Sequence, residues 1–250
     1  MVRMGFVKIL ADGSLGAHTA ALNEPYSDEP NTRGMLLYSQ RTLEKLVLKA
    51  HKAGFQIATH AIGDRATEAV LRAYEKALKT FPRDDHRHRI EHCSVLSPRL
   101  IIWMRRLRVI ASVQPHFVVS DYWTVDRVGK KRARWTYPFK TLMGEGLVVV
   151  SGSDCPVENI NPLLGIWAAA TQNNQLERVS LHEAVRTYTA NAAYSSFDEK
   201  EHGTIKVGKC ADFTVLSQNL DNIVPNRIKN VRAEMTIVDG RLVWARGRHA

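Results

Sequence analysis

The chain has 250 residues, 44% of them hydrophobic and 24% charged, with 15 Gly and 9 Pro; this is a globular composition, long enough for one large α/β domain or two smaller ones. No apolar stretch approaches the roughly 18 residues needed to span a bilayer, so no membrane association is expected. The formal charge of +10 raises a nucleic-acid reading, but zinc-finger spacing, an aromatic-rich RNP signature and a long basic helix are all missing, so no nucleic-acid partner is expected and the basic runs at 83–89, 105–108 and 126–135 read as solvated surface or as a face completed by an acidic partner.

In chain order, short apolar runs alternate with helical patterns. FVKILA (6–11) reads as a strand. Residues 40–53 place Leu43, Leu46, Val47 and Ala50 on one helical face, with Gly54 as a stop signal. FQIATH (55–60) is a second strand, and Ala66, Ala69, Val70, Ala73 and Ala77 repeat at helical spacing over 65–79. After the strand HRIEHC (88–93), Ser97 is an N-cap with proline at the first helical position, opening 98–107. VIASVQ (109–114) and LVVVSGSD (147–154) are further strands, and Ser180 with Glu183 forms a capping box for a helix over 181–193. The last fifty residues change character. Residues 203–217 and 231–248 read as alternating strands, with an Asp239-Gly240 hairpin turn in the second stretch. The expected division is residues 1–196 for an α/β unit and 197–250 for a small β unit.

Apolar strands joined by helical crossovers predict a parallel sheet covered by helices, either a barrel or a doubly wound sheet. No Gly-x-Gly-x-x-Gly stands at any strand-to-helix turn, which argues against a dinucleotide site. In such a sheet the carboxyl ends of the strands share one rim, where ligands bind. One strand ends on His60, another on His92 and a third on Asp154, while the first carries Lys8 beside Asp12. Each has a structural alternative: a satisfied hydrogen-bonding histidine, a turn or helix cap, a snorkelling lysine. Repetition on three strands favours a metal site, since imidazole and carboxylate are the ligands of Zn²⁺ and similar ions.

The motifs VKILADGSLGAHTAALNEPYSDEP, RGML, IATHAIGDRA, HRIEHC, VQPHF and SGSDCPV occur in this order. Together they resemble the metal-dependent amidohydrolase superfamily, in the family 3 branch that includes N-substituted formamide deformylase. GTIKVGKCADFTVL and VDGRLVW resemble that family's C-terminal β-sandwich strands. The resemblance implies a partial TIM-type (β/α) barrel, strands four to eight of eight, with a remnant of the small β-sandwich. It implies that Lys8 is a lysine that becomes carboxylated and bridges metals, that His60 and His92 are metal ligands, and that Asp154 binds metal and shuttles the proton. Gln114 and His116 lie where the seventh strand lines the substrate pocket. The implied activity is hydrolysis of an amide or other C–N bond in a small molecule, with Zn expected and Fe or Mn compatible.

The family's His-x-His at the first barrel strand has no counterpart in place. His86-Arg87-His88 has the spacing, but His88 stands four residues before His92, about 13 Å along a strand, toward the opposite rim. The chain therefore reads as the C-terminal half of a longer enzyme. The alternative is a catalytically incompetent fragment or subunit that needs a separate N-terminal fragment, or that associates with a second copy to cover its open strand edges. MVRMGFVKIL has no cleavage site and reads as no signal peptide. Cys93, Cys155 and Cys210 show no C-x-x-C pairing, so reduced thiols and a cytoplasmic location are expected. Cys93 and Cys155, next to His92 and Asp154, read as small-residue packing rather than thiolate ligands. DGSLG (12–16) reads as a tight turn. Asp64 either orients His60 or caps the following helix. Tyr188 and Trp123 read as packing residues.

Overall fold

The computed structural model describes residues 5–247. Five parallel strands, β1 (Phe6–Leu10), β2 (Gln56–Ala61), β3 (Arg89–His92), β4 (Ile110–Val113) and β5 (Val149–Ser151), form one sheet in their chain order. Three crossovers are α1 (Gln40–Lys52), α2 (Asp64–Thr80) and α3 (Pro98–Arg106). The crossover from β4 to β5 holds α4 (Phe117–Ser120), α5 (Thr124–Ala133) and α6 (Phe139–Gly144). After β5 come α7 (Pro162–Thr171), α8 (Leu181–Tyr188) and α9 (Ala190–Ser195). A second, antiparallel sheet follows, built from β6 (Phe213–Leu216), β7 (Ala233–Val238) and β8 (Arg241–Ala245).

The strand register divides the parallel sheet into two chemically different faces. One row runs Ile9, Thr59, Ile90, Ala111, Val149 across all five strands. Every member is buried against the helices, and the Tyr74 hydroxyl of α2 donates to the Arg89 carbonyl (2.9 Å) and lies 2.8 Å from Thr59 Oγ1, whose hydroxyl can donate back to it. The adjacent row, Leu10, His60, Glu91, Ser112, Val150, lies on the other face. That face is polar: Arg89 pairs with Glu91 at 2.6 Å, and Ser112 Oγ donates to Glu91 at 2.6 Å. At β1 it opens to solvent, leaving Phe6, Lys8 and Leu10 exposed. Among the described residues no strand pairs with the outer edge of β1 or of β5.

Several helices form where their apolar spacing and caps predict. Ser97 Oγ accepts from Leu100 N, and Ser180 and Glu183 exchange both bonds of a capping box. Alanines at 66, 69, 73 and 77 let α2 lie close on the sheet, and all are buried. Two expectations change. Leu46 is 38% exposed and lies off the buried face of α1. The helix expected over 181–193 breaks at Thr189 (φ −123°, ψ −92°), and the break turns α9 so that Asn191 Nδ2 donates to the Val149 carbonyl of β5. The β6 strand begins at Phe213, later than the pattern suggests. Asp239 and Gly240 both have positive φ, the geometry of a type I′ hairpin turn. Arg248, the end of the expected strand stretch, lies outside the described residues. Among the described residues no helix is long and apolar enough to cross a membrane.

At the amino-terminal side of the sheet, His51, His86 and His88 form a buried cluster. His88 Nδ1 accepts from Ile57 N (3.1 Å) and His88 Nε2 meets His51 Nδ1 (2.9 Å), while His51 Nε2 donates to the Phe81 carbonyl (2.7 Å). His86 Nδ1 accepts from His88 N (2.8 Å) and its Nε2 donates to the Leu107 carbonyl (2.9 Å). Every ring therefore needs one lone pair and one proton, which is the neutral form. Desolvation first, then the neighbouring rings and Arg83, pushes His88 down to about 2, and burial lowers His51 and His86 as well. This cluster explains why the His-x-His at 86–88 is structural, as its position along the strand predicts.

The folded-state values lie below the unfolded value of about 6.5, so on acidification the unfolded chain takes up protons first. Stability from this cluster is complete above pH 6.5 and is lost below it, at about 1.4 kcal/mol per pH unit for each such proton. The expected outcome is a urea midpoint that falls between pH 7.5 and 5.5, with a shallower fall in His88→Asn. An unchanged wild-type midpoint over that interval would contradict it.

Candidate metal and substrate site

The site is built at the carboxyl ends of β1, β2 and β3. Asp12, just past β1 and buried, directs its carboxylate at the end of β2. Its Oδ2 accepts from Ala21 N (2.9 Å) and Gly63 N (2.9 Å), and its Oδ1 accepts from Ile62 N (3.0 Å). The same Oδ1 stands 3.4 Å from His60 Nε2, which lies 2.9 Å from the Gly13 carbonyl. A carbonyl and a carboxylate on Nε2 keep the proton there, which leaves the lone pair on His60 Nδ1. Gly63 is required by close approach: a Cβ there would stand 1.9 Å from the Ala21 carbonyl oxygen.

His92 reaches the same place by a different route. Strand alternation pairs it with Ala61, on the opposite parity from His60. Its backbone is left-handed (φ 79°), as is that of Cys93 (φ 51°), and this breaks the alternation. The His92 ring lies 4.4 Å from the His60 ring, edge to face. Two consecutive non-glycine residues with positive φ store strain of the kind that clusters at functional sites. Burial, then His60 and Lys8, pushes His92 down to about 3, so the ring is neutral. Gln114 approaches and opposes that shift, but no bond of normal geometry closes: His92 Nδ1 and Gln114 Oε1 are both buried without a partner.

The remaining expected residues are placed less closely. Lys8 is on the polar face of β1, in register with Ala58, and is exposed. Asp154 lies beyond the end of β5, in an exposed turn with φ 57°. Among the described residues, the ligand atoms of His60, His92 and Asp154 do not gather as a set within 4.8 Å. His116 stands at the start of α4, with Nδ1 2.6 Å from Glu158 Oε2 and its ring facing Trp167. The neutral His92 ring, the His60 ring beside it, the orphaned buried polar atoms and a lysine fit a divalent cation, because histidine ligates through an unprotonated ring nitrogen.

Asp64 does not orient His60; as the first residue of α2 it turns its Oδ1 onto Arg65 N (2.9 Å), serving the first turn of the helix as the alternative expects. Its carboxylate accepts from Asn23 N (2.9 Å) and Asn23 Nδ2 (3.1 Å), holding the long loop, and Gly63 is the N-cap without a side-chain bond. Asp12 takes the place beside His60; its position in an Asp-Gly turn hides that role. Glu158 has no sequence signal, because it follows β5 in a loop without periodicity. Cys93 is packed, its thiol pushed up by burial, whereas Cys155 is exposed and so is not a packing residue. Trp123 packs in the loop beneath Arg127, and Tyr188 against Gly165.

Residues 1–244 match a family described as the amidohydrolase family. The Bacillus subtilis (strain 168) protein YtcJ is 39% identical over 97% of this chain and 47% of its own length. N-substituted formamide deformylase of Arthrobacter pascens, a more distant relative, is 26% identical over 98% of this chain and 46% of its own length. The crystal structure of an uncharacterized metal-dependent hydrolase from Pyrococcus furiosus superposes with a TM-score of 0.75 at 38% identity, covering 82% of this chain and 42% of that one. The chain thus spans about half the length of the curated relatives it matches.

Replacing Asp12 by Ala leaves three buried backbone N–H groups without an acceptor. At about 1–3 kcal/mol each, the expected loss of stability is on the order of 3 kcal/mol or more by chemical denaturation. Amide exchange at Ala21, Ile62 and Gly63 should accelerate together. Unchanged exchange at those three amides would show that Asp12 does not hold the loop.

Proposed function

The chain belongs to the amidohydrolase family, related to metal-dependent hydrolases, and from that premise we propose that it carries the metal-holding rim of an enzyme that hydrolyses amide or other non-peptide C–N bonds in a small-molecule substrate. The observation that supports this reading most is the adjacent pair of rings, His60 and His92, at the carboxyl ends of neighbouring parallel strands. His60 and His92 would hold the ion, with Lys8, in carboxylated form, and Asp154 contributing oxygen ligands. Zn²⁺ suits this donor set best, and Fe or Mn is compatible. When bound, such an ion supplies hydroxide near neutral pH by lowering the pKa of a water to about 7.

The chain's own residues supply the rest of the chemistry. Asp12 and the Gly13 carbonyl hold His60 in one tautomer and one orientation. Asp154, at the exposed end of the rim, takes the proton from the attacking water and returns it to the leaving amine nitrogen. Gln114 and His116 face the substrate, with Glu158 fixing the His116 ring. In this reading residues 1–196 are barrel strands four to eight and residues 197–250 are part of a small β-sandwich. The exposed face of β1, with Phe6, Lys8 and Leu10 open to solvent, favours a second reading for the chain by itself. It is incompetent until an N-terminal portion carrying His-x-His, or a second copy, covers that face.

Elemental analysis of the purified protein after Zn²⁺ loading and desalting tests the assignment. With the exposed Cys210 replaced by Ser in all three proteins, so that no thiolate site outside the rim contributes, the parent is expected to retain metal, and His60→Ala and His92→Ala each to weaken retention by at least about tenfold. Equal retention in all three proteins sinks the rim assignment. Hydrolysis of an amide panel by the metal-loaded chain, with and without an added N-terminal portion, then separates the two readings.

A further inference from the structure

Outside the strand rim, Glu201, His202 and Cys210 each bring a ligand atom to within 4.8 Å of the others, and all three are exposed. They stand on the segment that links α9 to β6. The backbone closes this segment by itself: Cys210 N donates to the Glu201 carbonyl (2.9 Å), and Lys209 Nζ donates to the carbonyls of Glu199 (2.7 Å) and His202 (3.0 Å). The three donors therefore meet because the main chain folds back on itself, and little ordering remains for an ion to impose.

A second observation points to a cation. His202 Nδ1 lies 3.2 Å from Asp212 Oδ2. A carboxylate this close to Nδ1 favours the proton on that nitrogen and the lone pair on Nε2, the tautomer of metal-bound histidines with a carboxylate behind them, and it adds negative charge beside the three donors. Asp212 is itself anchored, its Oδ1 accepting from Asp239 N (2.8 Å) at the β7–β8 turn. We propose that Glu201, His202 and Cys210 form a binding site for a Zn²⁺-class ion that ties the linker to the second sheet.

Thiolate, imidazole and carboxylate together select a borderline-soft divalent ion over Mg²⁺ or Ca²⁺, which take oxygen ligands. Three protein ligands leave a fourth position for water. On binding, the Cys210 thiol loses its proton to solvent and the sulfur lone pair forms the bond to the ion; nothing is oxidised or reduced. The site is distinct from the rim. The linker starts where Glu199 pairs with Arg87 (2.8 Å), ahead of the first residue of β3, whereas His92 is its last.

Co²⁺ added to the full chain reads this site through thiolate-to-cobalt charge-transfer absorption, which a rim of nitrogen and oxygen ligands does not give. The expected result is a band that saturates near about one equivalent, is displaced by Zn²⁺, is lost in Cys210→Ser and in His202→Ala, and persists in His60→Ala. A wild-type chain with no band overturns the proposal. So does a band that survives either substitution in the linker, which would assign it to Cys93 or Cys155, or one that disappears in His60→Ala. The His60→Ala arm also keeps a failure here separate from a failure of the rim assignment.

Discussion

A single buried carboxylate holds the carboxyl rim of this sheet together. Asp12 accepts three backbone N–H groups from two different loops and faces the imidazole that ends β2. The loop after β1 contains no regular element from residue 11 to residue 39, so its position depends on such anchors. Asp12 supplies one, and a small apolar cluster of Leu15, Leu22, Tyr26, Ile62 and Val95 supplies another. Two basic residues from the run whose composition suggests a solvated surface complete the set: Arg127 pairs with Asp28, and Arg132 donates to the carbonyls of Glu24 and Pro25. Two of the five basic residues at 126–135 thus serve to pin the loop.

The sheet then separates packing from chemistry by strand parity. The row Ile9, Thr59, Ile90, Ala111, Val149 makes the core with the helices, and the row through His60, Glu91 and Ser112 makes a polar face. Burial on the first row stabilises the fold at about 25 cal/mol per Å² of apolar surface removed from water. The second row is where polar groups can be gathered without disrupting that core. His92 belongs to the apolar row by parity and reaches His60 through a left-handed backbone. The cost of that conformation, on the order of 1–3 kcal/mol, is carried by the surrounding packing.

The five strands and helices α1 to α3 were legible because each has one buried face, and alternation or helical spacing records it. His60 and His92 were legible as strand ends. The structure adds what periodicity cannot carry. The α7 helix, PLLGIWAAAT, is apolar on every side and shows no amphipathic stripe. The α5 helix is polar and interrupted by Gly129 at φ 74°. Asp154 looked like a strand end because the apolar run flows into it, yet β5 stops at Ser151. The Glu201, His202 and Cys210 cluster has no motif spacing, since a loop closure and not a helix or strand brings it together. Leu46 shows the opposite limit: an apolar residue near the expected stripe can lie off the face that the helix buries, which runs through Leu43, Val47 and Ala50.

The central claim is that Asp12 and the Gly13 carbonyl set His60 with its proton on Nε2 and its lone pair on Nδ1, ready for an ion. Long-range ¹H–¹⁵N NMR of the histidine-labelled protein reads tautomers ring by ring, with His60→Ala to assign the signal. The account predicts a His60 ring that keeps its proton on Nε2, and whose Nδ1 resonance shifts on Zn²⁺ addition while Nε2 stays protonated. A His60 ring protonated on Nδ1, or an Nδ1 signal indifferent to Zn²⁺, would contradict it.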